Sequence, residues 1–102
     1  MADIVLTRIE VHPGPIVYIY GRAQVLRLTL DVEEGGWLVG SPPRGPVYPS
    51  LREAIHAAVQ SAAWSGVPWA TAPLWYRTLR RGSVAEAAST ARRLVRRKFG
   101  VE

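Results

Sequence analysis

The chain has no cysteine and no asparagine, and only one methionine, one lysine (Lys98) and one phenylalanine (Phe99). Without cysteine there are no disulfides, thiolate nucleophiles or cysteine metal sites. The two histidines, His12 and His56, do not form an H-x-x-x-H spacing. Both read as surface residues, His12 in a turn before Pro13 and His56 on the wet flank of a helix. No apolar run approaches the ~20 residues that a membrane helix needs. The start, Met1-Ala2-Asp3, leads with an acid into a strand-like run, which argues against a signal peptide. A cytoplasmic protein without membrane contact is therefore expected.

Catalytic patterns are missing too. There is no glycine-rich phosphate loop, no H-E-x-x-H and no G-x-S-x-G. Asp3, Glu10 and Asp31 are scattered, and Glu33-Glu34 sits at a hairpin tip. Glu53 and Glu86 are accounted for by helix capping. No acid/base pair is left. The expectation is a protein that is not an enzyme, with no cofactor, metal or small-molecule substrate.

What is present is a globular composition. Of the 102 residues, 48% are apolar, which suits a single domain with one core. Thirteen basic residues against eight acidic give a net charge of +5. The isoelectric point is near 10.4. Such a surface attracts polyanions. The scarcity of thermolabile residues fits a thermophilic source; a GC-rich genome gives the same bias towards arginine, alanine, glycine and proline.

Residues 1–40 read as strands. Ile4 to Val11 is β-branched and apolar, His12 to Pro15 is a turn, and Ile16 to Tyr20 is a strand. Gly21-Arg22 fits a type II′ hairpin. From Ala23 to Val32 polarity alternates, and Glu33 to Gly36 turns the chain into Trp37-Leu38-Val39. Residues 41–49 hold four prolines and read as a loop. Residues 50–100 read as helical. Ser50-Leu51-Arg52-Glu53 and Ser83-Val84-Ala85-Glu86 are capping boxes. Apolar stripes follow each: Leu51, Ile55, Ala58, Val59 and Ala62, then Val84, Ala88, Ala91, Val95 and Phe99. Pro73 to Arg81 fits a short third helix. The expected fold is α+β, a four-stranded antiparallel β-meander followed by two or three helices packed on one sheet face.

Three places could bind a polyanion. A three-residue turn after Val11 puts Val5, Ile9, Val11, Val17, Ile19, Leu26, Leu28 and Leu30 on one face. Arg8, Glu10, Tyr18, Tyr20, Val25, Arg27 and Thr29 then share the other, with Arg22 in the neighbouring hairpin. Tyrosines beside arginines form a stacking platform for unpaired bases. Tyrosine also simply favours strands, and a two-residue turn would move Tyr18 and Tyr20 beside Ile9. The second place is Trp64 to Arg81, with Trp64, Trp69, Trp75, Arg77, Arg80 and Arg81. Trp64 falls opposite the Leu51/Ile55 stripe. The segment reads equally as a binding patch or as a second small core. The third is Arg92, Arg93, Arg96 and Arg97, a solvated helix flank or a phosphate contact.

A strand-rich half, a proline loop, and helices with tryptophans and arginines together resemble the thermophile single-stranded-DNA-binding proteins known as ThermoDBP and their relatives. Tyr18, Tyr20, Arg27, Trp64, Trp69, Trp75 and Arg77 carry the resemblance, through architecture and composition. It implies binding of single strands without sequence preference, along a cleft between sheet and helices, and without a cofactor. Such relatives often associate through a helical C-terminus, which leaves a homodimer open. The last helix here shows one stripe, which its own sheet can consume. The function expected is binding of single-stranded DNA or RNA by stacking and arginine–phosphate contacts. The rival is a protein-interaction module using the tryptophan-rich patch.

Overall fold

Alternation of apolar and polar residues, clearest in Arg8–His12, builds the sheet. The computed structural model describes residues 5–40, 43–61, 64–66 and 73–101. Strands β1 (Arg8–His12), β2 (Ile16–Tyr20), β3 (Gln24–Asp31) and β4 (Gly36–Gly40) pair antiparallel, each with the next. His12 pairs with Ile16, so the first turn has three residues, Pro13 to Pro15. That register sends Ile9, Val11, Val17, Ile19, Leu26 and Leu28 to one face, where all are buried.

The sheet is larger than the meander, which corrects the expected fold. Among the described residues it has seven strands: β5 (Pro43–Tyr48), β6 (Ser65–Gly66) and β7 (Trp75–Thr78) join the first four, in the order β5-β4-β3-β2-β1-β7, with β6 beside β3. The same residues form two helices, α1 (Leu51–Gln60) and α2 (Val84–Phe99). The proline segment is not a loop: Pro43–Tyr48 forms β5. Proline is tolerated there because β5 is an edge strand, with one side that needs no amide donors. The proposed third helix is also a strand. Trp75–Thr78 forms β7, which pairs antiparallel with β1. Ser65–Gly66 forms β6, paired with Gln24 and Val25.

Smaller corrections follow. The second hairpin turns at Arg22-Ala23 rather than Gly21-Arg22, with Gly21 N–H donating to the Gln24 carbonyl at 2.8 Å. Gly21 does not take a positive φ, so the type II′ turn is not formed. Val5 is 41% exposed, and Leu6 takes the core position instead. The helix after Ser50 stops at Gln60, so Trp64 is not on its wet flank. Trp64 packs against the core. Ala62 lies outside the described residues.

Both capping serines act as read. Ser50 Oγ accepts from Glu53 N–H at 3.2 Å, and Ser83 Oγ from Glu86 N–H at 3.1 Å. Gly100, in the left-handed region with φ 69°, ends α2. One core joins the layers. Leu51, Ile55 and Ala58 of α1 and Ala88, Ala91 and Val95 of α2 cluster with the apolar strand face and Trp37. Both helices therefore cover the same side of the sheet. Gly36 is required by packing: a Cβ there would lie 2.6 Å from the Tyr48 carbonyl oxygen on β5.

Candidate nucleic-acid interface

The face of the sheet opposite the helices gathers aromatic and charged side chains through register alone. Arg8 pairs with Tyr20, and Glu10 with Tyr18, across β1 and β2. Tyr18 pairs with Arg27, and Ile16 with Thr29, across β2 and β3. On the far side of β1, Glu10 pairs with Tyr76 and Arg8 with Thr78 of β7. Paired residues point to the same face. Arg8, Tyr18, Tyr20, Arg27 and Tyr76 therefore share one surface. Tyr76 was absent from the sequence reading, because only the pairing of β7 with β1 brings it there.

A buried carboxylate organises this surface. Glu10 is 6% exposed, the only buried charged residue among those described. Its Oε2 accepts from Arg8 Nη2 at 2.8 Å. Its Oε1 accepts from Tyr20 Oη at 3.0 Å and meets His12 Nε2 at 3.1 Å. A buried carboxylate needs such partners, since leaving one unpaired costs several kcal/mol. His12 is thus part of β1 and of this network, not a free surface residue of the turn. Its ring meets Tyr18 edge-on, with centroids 5.1 Å apart. His56 is exposed on α1, as expected.

The tyrosine rings are held in place by these contacts. The Arg8 guanidinium lies 4.3 Å from the Tyr76 ring centre and 6.0 Å from that of Tyr20. Burial and then the hydrogen bond to Glu10 push the Tyr20 hydroxyl up to about 12. It stays a neutral donor at any ordinary pH. Tyr18 and Tyr20 are half-buried, while Tyr76 is 55% exposed. These contacts order the Tyr20 and Tyr76 rings, and Tyr76 is the most exposed of the three tyrosines.

The tryptophan segment falls elsewhere. Trp75 pairs with Val11 and so faces the helices. It packs on the core, edge-on to Phe99 at 5.5 Å, with Lys98 Nζ 5.2 Å from its ring centre. Trp64 and Trp75 therefore extend the core, and Trp69 lies outside the described residues. Arg77 pairs with Ile9 and also faces the helix side, at the sheet edge. It lines a depression with Arg80, Glu86, Arg93 and Arg97. Arg22 and Arg81 are exposed, the first at the β2–β3 turn and the second before α2.

Glu86 does more than close a capping box. Its carboxylate accepts from the backbone N–H groups of Arg80, at 3.1 Å, and Arg81, at 2.6 Å. These bonds, Arg81 foremost, hold it below the usual carboxylate range. Among the described residues no group of three or more His, Asp or Glu could hold a metal ion. Nor is any helix of those residues long and apolar enough to cross a membrane. No family model, curated protein or solved structure matches the chain. The functional reading therefore rests on geometry.

Proposed function

We propose that the protein binds single-stranded nucleic acid, without strong base preference, on the open face of its sheet. The observation that carries this reading is the convergence of Tyr18, Tyr20 and Tyr76 with Arg8 and Arg27 on a surface that neither helix covers. Every base has a π-face, so stacking on tyrosine tolerates any sequence but requires unpaired bases. Arg27 serves the phosphates, Arg8 holds Glu10 and the Tyr76 ring in place, and the net charge of +5 draws the polyanion in. Glu10 lies beneath the rings with its charge engaged by Arg8, so it fixes the platform rather than repelling the ligand. The cytoplasm is the compartment this reading suits. Catalysis and cofactors have no part in it. The interaction-module alternative is less well supported, because Trp64 and Trp75 are taken up in packing.

The test is a fluorescence titration with single-stranded and duplex oligonucleotides at several salt concentrations. Single strands should bind more tightly. Tyr18→Ala should weaken binding and leave the salt slope nearly unchanged. Arg27→Ala should reduce the slope of log affinity against log salt by about 0.7, the value for one lost contact on a single strand. Equal or tighter binding to duplex, or no binding at all, would overturn the proposal.

A further inference from the structure

The arginines of α2 lie on the helix side of the molecule, away from the tyrosine surface. Arg93 and Arg97 meet Arg77 and Arg80 around one depression beside β7. Arg93 also borders a second depression on α2, with Arg52, Arg92 and Arg96. Among the described residues the only carboxylate lining the first is Glu86, which accepts from the Arg80 and Arg81 backbone. Arg77, Arg80, Arg93 and Arg97 make no ion pair with the described residues. Four guanidiniums stand around one hollow against the single carboxylate of Glu86, so the excess of positive charge repels itself and attracts phosphate. Among the described residues no aromatic ring lines either depression.

Strand β7 joins this band to the tyrosine surface. It lies at the edge of the sheet, and successive side chains alternate across it. Tyr76 and Thr78 point to the open face, while Trp75 and Arg77 point to the helix side. The path from Tyr20 through Arg8 to Tyr76 therefore ends one residue from Arg77 and the α2 arginines. We infer that a single strand stacked on the tyrosines turns around the β7 edge and lays its next phosphates against Arg77, Arg80, Arg93 and Arg97. The inference rests on the proposed function, and it divides the site into a stacking half and a purely electrostatic half.

The experiment is binding of oligothymidylates of about 4 and about 16 nucleotides, the range of lengths that single-strand-binding domains occupy. The short probe spans the tyrosine surface alone, and the long one reaches α2. In the double variant Arg93→Gln/Arg97→Gln the salt slope for the long probe should fall by about 1.4, about 0.7 for each lost contact. The slope for the short probe should stay unchanged. Arg93→Lys/Arg97→Lys keeps both charges and should restore the long-probe slope, which separates lost contacts from misfolding. An unchanged long-probe slope in the glutamine variant overturns the inference and leaves the proposed function standing. An equal fall for both probes also overturns it, because the arginines would then act only through the overall field. Failure of the parent protein to bind either probe removes both readings.

Discussion

The two faces of this sheet are written by the same strands, one residue out of phase, yet they obey different rules. On the covered face Ile9, Val11, Val17, Ile19, Leu26 and Leu28 are all at or near zero exposure, and any residue of similar shape and polarity would serve. On the open face Arg8, Glu10, His12 and Tyr20 are joined by directional bonds, and each depends on its neighbours. Alternation thus lets one strand carry stability on every second position and specific chemistry on the positions between. Damage to the first face should appear as unfolding, and damage to the second as lost binding.

The largest effect should come from the covered face. Trp37 is 2% exposed within the core, so Trp37→Ala should lower unfolding free energy by about 3–5 kcal/mol, read from denaturant melts. Leu28→Ala should cost about 2–5 kcal/mol by the same route. A much smaller loss at Leu28, which is fully buried, would break the division between the faces.

Glu10→Gln comes next and tests whether the open face is itself structural. It removes the charge that Arg8, Tyr20 and His12 share, and should cost about 1–3 kcal/mol. Tyr20 supplies a second readout. Its raised value means that the unfolded chain ionises first, near 10, while the folded protein holds its proton to about 12. The stability contributed by Tyr20 is fully present below pH 10 and is lost as pH rises towards 12. In Glu10→Gln the tyrosinate absorbance titration should move part of the way back, because burial, the larger cause, remains.

Tyr18→Ala should show the opposite balance. Its effect on melting should be small beside that of Leu28→Ala, while affinity for single strands should fall by about 1–3 kcal/mol, the contribution of one stacked base. The smallest effect belongs to Glu86→Gln. The depressed carboxylate contributes stability above its unfolded value, and that contribution disappears as pH falls through the folded one. Parent and variant should therefore differ slightly in Tm near neutrality and converge in acid.

Much of the covered face was legible in the sequence. The alternation through Leu26 and Leu28 and the two serine–glutamate boxes require only local rules. With a three-residue turn they also place Arg8, Tyr18, Tyr20 and Arg27 together. The remainder depended on pairing between distant segments. Pro43 and Pro46 looked like loop residues because proline disfavours strands, and only the edge position of β5 admits them. Trp75 to Thr78 is too short for periodicity to separate helix from strand, and its pairing with β1 decides the matter. Tyr76 joined the open face, and Trp75 the core, as a result. Glu10 was set aside as a scattered acid, although its place between Arg8 and His12, two residues away on either side, was the available signal.

Pro43 and Pro46 also bear on how copies of the molecule can meet. Growth of a fibre by strand pairing needs a competent rim on each side of the sheet. One rim is β5, which lacks two amide donors; the other is β7, which has no proline. The two prolines therefore make the β5 rim the poorer template for a second chain, and leave β7 as the rim better equipped to pair.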